Sequence, residues 1–491
     1  MSPRHSRLSS NFWLIVQHES RVLLRDRTLP LVCAVLALMI GCGLFVGMAQ
    51  ASLRERMIAE VTEHEREAQQ KNQDTLRSVL SGKETLVPFS NPANPAALAG
   101  TLAGRHTVLP NGALAALAVG QSDMMPNYYR ISYLSKVQFM YDSEIENPWN
   151  LLSGHFDVAF VIVFVLPLLV IGVSYNLLSA EREQGTLRML CSQPLSLATL
   201  LIAKVAVRLI AVLSIVIPLP LIALLASHPD TRALEPVLLM LSWAALVAGY
   251  ALFWFAAAAL VNVLGRPSSQ NALIMIALWT VLVLVLPVAM NLAVDAISPA
   301  PSRTELASRT RVVTADALKE YENLYSADYR YASDPEALAV KDGRIDVPSR
   351  MRAFFLAKQR VDERIEPLLK RFDNQLLEQQ HLVDLVGFLS PAILVNEALN
   401  SVAGNGSLRF VAFKAQTEAF HNRWRSFFAP RILQDRATTM DDLNSLPTWQ
   451  WVELTAADTR WRVWSRIALI MTLAISLGSI ALAKAKRQPI V

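Results

Sequence analysis

The chain has 491 residues, 53% hydrophobic and 18% charged, with a mean hydropathy of +0.32. A soluble enzyme of that length carries about 25% charged residues; here the deficit falls in blocks, which excludes a uniformly apolar globule and points to a membrane protein with soluble insertions. The formal charge of +5 collects at the ends of apolar runs, where topology explains it better than nucleic acid does, and three cysteines make no disulfide framework.

Residues 1–28 place Phe12, Trp13, Ile15, Val16, Val22, Leu23 and Leu24 at helical spacing among His18, Glu19, Arg21, Arg25 and Arg27. This predicts a cytoplasmic interfacial amphipathic helix, with a plain extension of the first span as the alternative. The run 29–49 reads as a retained first span, since no convincing small-residue cleavage site accompanies it; a signal peptide is the other option. Residues 50–155 form a first polar insertion, opening with a charged helical pattern over 53–80. A Pro/Asn/Ala/Gly-rich stretch follows, with turn signals at Asn91-Pro92 and Asn94-Pro95.

Further apolar runs occupy 156–177, 200–226, 236–261, 272–294 and 466–483, each near the roughly 20 residues that cross a bilayer. Pro167, Pro218, Pro220 and Pro287 fall within them and mark kinks or broken helices. The second polar insertion, 295–465, is mostly helical by pattern, with long candidates over 302–331 and 349–389. In the latter, Val361, Ile365, Leu368, Phe372 and Leu376 make one stripe, and about 40 helical residues would reach about 60 Å. Pro367 interrupts that helix at a position able to bend or break it. Trp449, Trp451, Trp461 and Trp464 read as an interfacial aromatic belt before the last span, and 484–491 as a short tail.

Orientation follows from the cations. Arg4, Arg7, Arg21, Arg25 and Arg27, then Arg182, Arg188 and Lys204, then Arg266, then Lys484, Lys486 and Arg487 share one side if six spans are correct. Both termini are therefore expected in the cytoplasm. The expected fold is an α-helical polytopic membrane protein of six transmembrane helices with two extracytoplasmic insertions, the second mainly α-helical.

Catalytic patterns are sparse. No glycine loop with Lys and Ser/Thr is present to cradle a phosphate, so no ATP-binding role is expected of this chain. Gly404-Asn405-Gly406 reads as a helix stop. The scattered histidines form no ligand pair, so no metal site is expected, and Met124-Met125 suits packing. Asp157 and Asp295 lie at span ends, where solvation is the expected state, and no carboxylate pair lies inside a span to drive an ion-coupled carrier. The unusual segment is 178–199, between the second and third runs. There Glu181-Arg182-Glu183-Gln184-Gly185-Thr186-Leu187 predicts a short charged helix stopped near Gly185, followed by a Gln193-Pro194 turn. It suits a loop that receives force from a partner; an ordinary charged connection is the alternative.

The run Glu181 to Pro194, with Lys204 beyond it, resembles the signature of ABC-2 type transporter permeases. In that family an acidic pair and Gly-Thr precede a Leu-Leu-Ser-Gln-Pro-like turn and a lysine opening the next span. Arg25-Asp26-Arg27, with its amphipathic helix, is similar to that family's interfacial connecting helix. The second insertion resembles the extracytoplasmic domain of a bacterial subgroup related to permeases of multicopper-enzyme maturation systems. That likeness rests on Phe388 to Leu394, Glu397 to Asn400, Ala403-Gly404, and His421 through Trp424 to Phe428. Copper is not carried over, because metal-ligand clusters are lacking.

The resemblance implies a permease subunit of the bacterial inner membrane, itself no enzyme, that couples ATP hydrolysis in a separate ATPase to export of an unidentified substrate. Glu181, Arg182, Glu183, Gly185 and Thr186 become coupling residues, and Trp13, Arg25, Asp26 and Arg27 the interfacial-helix residues. The partners implied are ABC ATPase subunits using ATP and Mg, and a second permease copy or a related one, among membrane lipids. The rival readings are a mechanotransmitter acting on a periplasmic partner without moving solute, a secondary transporter, and an assembly or sensor protein needing no ATPase.

Overall fold

The computed structural model describes residues 3–25, 27–120, 125–141, 156–192, 196–227, 232–299, 302–320, 340–454 and 456–487. Among them six helices are long and apolar enough to cross a membrane. In chain order the helices used below are α1 (Pro3–Arg25), α2 (Thr28–Leu80), α3 (Lys136–Met140), α4 (Val158–Glu183), α5 (Thr186–Cys191), α6 (Leu197–Ser227) and α7 (Leu234–Val263). They continue as α8 (Ser268–Ile297), α9 (Arg303–Glu320), α10 (Ser349–Gly387), α11 (Pro391–Ala403), α12 (Ser407–Leu433) and α13 (Ala456–Arg487). Helices α2, α4, α6, α7, α8 and α13 are the six apolar ones. α7 is the most enclosed, with Trp243, Tyr250, Trp254 and Phe255 fully buried.

The prolines act where the sequence placed them. Pro167 and Pro287 each follow a π-helical turn, Val161–Val165 and Thr280–Val285. Proline has no N–H to return to the preceding turn, so carbonyls are freed that lipid cannot satisfy. Neighbouring helices supply donors: the Tyr250 hydroxyl to the Val163 carbonyl at 3.0 Å, the Trp279 indole N–H to Phe164 at 3.2 Å, and the Ser390 hydroxyl to Leu282 at 2.9 Å.

The expected boundary between the first span and the first insertion does not exist as a break. α2 runs unbroken for 53 residues, roughly 80 Å, from the apolar bundle into a polar body. That body is one unit built from both insertions. Its core joins Leu76, Tyr129, Ile131 and Met140 of the first to Phe355, Phe413, Phe420, Trp424 and Phe428 of the second. Each enclosed aromatic ring contributes about 1.5–3 kcal/mol of burial, and these rings come from both insertions. A two-stranded antiparallel ribbon, β1 (Arg105–Val108) with β2 (Tyr128–Ile131), pairs Arg105 with Ile131 and Val108 with Tyr128.

Three local expectations need correction. Trp449 and Trp451 are not belt residues: their rings pack on Phe413 in the body core, and the Trp449 indole bonds the Val108 carbonyl at 2.9 Å. Only Trp461 and Trp464 stand exposed at the start of α13. Asp157 is not solvated but buried, its carboxylate accepting the Phe160 N–H that caps α4 and the Val119 N–H, both at 2.7 Å. Finally, α11 lies inside the second insertion by sequence yet packs in the apolar core with the bundle, through Leu394, Val395, Ala398, Leu399 and Val402.

Candidate functional site

At the end of the bundle where the chain enters, α1 lies against the start of α6 and turns into α2 through Arg27, whose φ of 58° is left-handed. Its stripe splits by chemistry. Trp13, Leu14 and Leu24 are exposed, while Leu23 enters the bundle core. Arg25 is exposed as well, and Asp26 lies outside the described residues. Glu19 is the exception on this helix: it is buried.

The reason is a cluster of four ionic side chains from three helices. Lys204 and Arg208 sit one turn apart on α6. The Arg208 guanidinium meets the Glu19 carboxylate at 2.7 Å, and the Lys204 ammonium lies 3.6 Å from Glu19 and 2.5 Å from Glu181 at the end of α4. The set is formally neutral, which is the condition for charges to survive burial. It is incompletely satisfied, however. Glu181 Oε2, Arg208 Nε and Arg182 Nη1 are buried without a hydrogen-bond partner.

Glu183 faces a different helix. Its carboxylate accepts the Ser268 N–H at 2.6 Å and the Ser268 hydroxyl at 3.0 Å, closing the N-terminus of α8, where a carboxylate is favoured by free N–H groups and the helix dipole. The Ser268 hydroxyl also reaches the Ser179 hydroxyl at 2.8 Å. Just before this turn α4 breaks at residues 175–178, and α7 repairs the break. The buried Asn262 amide donates to the Ser174 carbonyl at 3.0 Å, and its Oδ1 accepts the Leu178 N–H at 3.2 Å. Asn271 of α8 reaches the same Oδ1 at 3.4 Å.

Gly185 stops α4 with φ +74, and open space surrounds the position a Cβ would take, so backbone conformation alone selects glycine. The Thr186 hydroxyl turns back to the Glu181 carbonyl at 3.2 Å. The polar segment therefore presents two faces. Glu181 points into the bundle and Glu183, itself exposed, holds the start of α8; Gln184, Gly185, Thr186 and Met189 face outward, Met189 at 73% exposure. Both carboxylates have partners, Glu181 in Lys204 and Glu183 in Ser268. Gln193 and Pro194, the expected turn, lie outside the described residues.

Sequence reasoning passed over Glu19, Arg208, Asn262 and Asn271 as site residues. Their signal was present: each is a polar group inside, or one turn from, an apolar helix, where an unpartnered one is costly. Among the described residues no group of three or more His, Cys, Asp or Glu could hold a metal ion.

A second ionic network lies in the polar body, where α3 is clamped between α10 and α12. Asp362 accepts from the Arg425 guanidinium at 2.7 Å, the Ser135 hydroxyl at 2.5 Å and the Lys136 N–H at 3.1 Å. Lys136 pairs with both Glu366 and Glu418. Burial works against its ammonium, but the two carboxylates outweigh that and hold its pKa above the usual lysine value. Burial raises the Asp362 pKa despite Arg425. Burial, with Arg425 alongside, pushes His421 down to about 3, so it is neutral at pH 7, its Nε2–H donating to the Leu134 carbonyl at 2.9 Å.

A family described as a domain of unknown function (DUF3526) matches residues 317–452, from the last turn of α9 through α10, α11 and α12. The match covers under a third of the chain and touches none of the six apolar helices. No curated protein and no solved structure matches the chain.

Proposed function

We propose that this chain is the transmembrane permease subunit of an ABC-2 type transporter in the bacterial inner membrane, with both termini cytoplasmic. A separate ATPase, using ATP and Mg, docks on the outward face of the polar turn, and a second permease copy or a related one completes the complex. The observation that supports this best is the Glu19–Arg208–Lys204–Glu181 cluster: it ties an exposed turn to an interfacial helix and to α6, while Glu183 ties it to α8. A push on Gln184, Thr186 or Met189 then reaches three elements at once. That is a coupling of binding to conformation, with no chemistry in the permease.

Export of an unidentified substrate is the working direction. A mechanotransmission reading has its own support: α2 passes from bundle to body in one helix, and α11 seats the body's second segment in the bundle core. Bundle motion therefore moves the body, whether or not solute passes.

The test uses the full chain co-expressed with candidate ABC ATPase subunits from the same organism, with spin labels in the bundle and the body. Met189→Asp should abolish co-purification of the ATPase. Lys204→Met should leave co-purification intact and remove the ATP-dependent distance change. Normal assembly and normal movement in both variants would overturn the coupling role of this turn.

A further inference from the structure

Two of the apolar helices carry the same seven-residue pattern. Val161-Ile162-Val163-Phe164-Val165-Leu166-Pro167 in α4 and Val281-Leu282-Val283-Leu284-Val285-Leu286-Pro287 in α8 alternate valine with another apolar residue and end in Leu-Pro. Both fold alike. Each π turn stops at that leucine, whose N–H bonds the carbonyl five residues back, Leu166 to Val161 and Leu286 to Val281. A proline ring presses on the carbonyl four residues earlier, and β-branched valines crowd the same turn, so the helix relieves both by admitting one extra residue. Pro218 of α6 follows Leu213-Ser214-Ile215-Val216-Ile217, which lacks the alternation, and there the α-helix breaks at Ile217 instead.

The two irregular turns touch. The Trp279 indole, one residue before the π turn of α8, donates to the Phe164 carbonyl inside that of α4 at 3.2 Å. The Tyr250 hydroxyl of α7 donates to the adjacent Val163 carbonyl at 3.0 Å, and the Ser390 hydroxyl holds Leu282 in the turn of α8 at 2.9 Å. Backbone can leave the α-helical pattern at membrane depth only where protein satisfies it, and single side-chain donors do so here.

Beyond the turns, the limbs are tied at both ends. Towards the polar turn, Glu183 holds the Ser268 N–H at 2.6 Å and Ser268 reaches Ser179 at 2.8 Å. Asn262 of α7 joins that set, meeting the Ser174 carbonyl at 3.0 Å and Asn271 at 3.4 Å. Towards the polar body, Asp157 at the start of α4 accepts the Val119 N–H at 2.7 Å, and Gln379 holds Asp295 and Ser298 at the end of α8, at 3.2 and 2.7 Å. α7 runs beside both as one α-helix, with proline only in its first turn.

We infer that α4 and α8 bend together at their π turns. The limbs on the side of the polar turn, 166–183 and 268–279, move as one unit against the outer limbs, and Tyr250 and Trp279 latch the observed bend. Displacement of the polar turn then reaches the body through flexure of two adjacent helices, a paired change of the kind that π turns and prolines localise. This deepens the mechanotransmission reading and rests on the six apolar helices being membrane spans.

The experiment places spin-label pairs in the full-length protein lacking Cys33, Cys42 and Cys191, in phosphatidylethanolamine–phosphatidylglycerol nanodiscs, and measures distances by double electron–electron resonance. Leu273→Cys with Leu292→Cys, 69% and 66% exposed, crosses the bend of α8 over about 28 Å at 1.5 Å per residue. Gln184→Cys with Leu273→Cys reports whether the two moving limbs stay together. Leu38→Cys with Met57→Cys, equally spaced on α2 with no proline between them, reports the fold. The deciding variant is Tyr250→Phe, because that hydroxyl bonds α4 while the 273/292 pair reads α8. The expected result is a second, shifted distance population for 273/292 with the 184/273 distance unchanged. Trp279→Phe should do the same, and replaces Tyr250→Phe if the latter loses the native 38/57 distance. An unchanged 273/292 distribution in a variant with the native 38/57 distance overturns the paired bend. So does a shift at 273/292 accompanied by one at 184/273, since the limbs would then move separately. Labels at 273 and 292 relaxed by a water-soluble nickel chelate and not by oxygen would instead overturn the spanning reading, whatever the distances.

Discussion

The two ionic networks use the same groups to opposite ends. In the polar body, Asp362 accepts three donors from three residues and Lys136 bridges two carboxylates, so the charges themselves are matched and only the neutral His421 leaves a ring nitrogen, Nδ1, buried without a partner. Behind the polar turn, four charges from three helices also balance, yet Glu181 Oε2, Arg182 Nη1 and Arg208 Nε remain buried without partners. A satisfied network fixes one arrangement; a partly satisfied one raises the energy of the state that holds it and lowers the cost of leaving it. The body network is thus a clamp between the two insertions. The turn network has the makings of a hinge between two arrangements.

The comparison breaks most sharply at Arg425. Arg425→Ala leaves Asp362 buried and uncompensated, a loss of about 3–5 kcal/mol, which should unfold the body while the apolar helices persist. Limited proteolysis in detergent reads this as cleavage within 50–141 and 340–454 only. Cleavage distributed equally over both regions would show that body and bundle do not fold as separable units.

Lys204→Met should cost less, about 2 kcal/mol, because Arg208 still pairs with Glu19 and only Glu181 loses its partner. Adding Glu181→Gln should recover most of that loss in the thermal midpoint, and this rescue separates a charge effect from a packing one. If the double variant is less stable than Lys204→Met alone, the cluster is held by something other than charge.

Acid should act on the body. His421 has a folded pKa of about 3 against an ordinary value of 6.5. The unfolded chain therefore binds the extra proton: stability is fully present above about pH 6.5 and falls as pH drops towards 3, by at most about 1.4 kcal/mol per unit. Asp362, with its pKa raised, works in the opposite sense, and Glu366, with its pKa lowered against burial by Lys136 and Lys370, works in the same sense as His421. His421→Gln keeps a donor for the Leu134 carbonyl and removes the titration, so its unfolding midpoint should depend less on pH below 6.5. An unchanged acid slope would assign the effect to the carboxylates.

What could be read from sequence follows the physics of each signal. The six apolar runs, the amphipathic α1 and the stop at Gly185 were legible because periodicity, length and a single left-handed position are local. Prolines 167 and 287 announced irregular helices, although not the Tyr250 and Ser390 donors that repair them. The shared core was not legible, because Leu76 meets partners far along the chain, and no local pattern records long-range pairing. Glu19 looked like one more polar residue of an interfacial helix; only the third helix, bringing Lys204 and Arg208, explains its burial.

Gly185 gives the smallest and most local test of the hinge. A Cβ there meets nothing within 4 Å, so substitution acts through φ alone. Gly185→Ala should cost about 1 kcal/mol, the price of a left-handed L-residue, and should speed hydrogen exchange over Ser179–Glu183 and Thr186–Cys191 while leaving the body unchanged. Gly185→Asn, which tolerates that region better, should fall between alanine and the native chain. If alanine and asparagine behave alike, the glycine is needed for the closeness of a docked partner at Gln184 and Thr186, and the turn's backbone shape is not what matters.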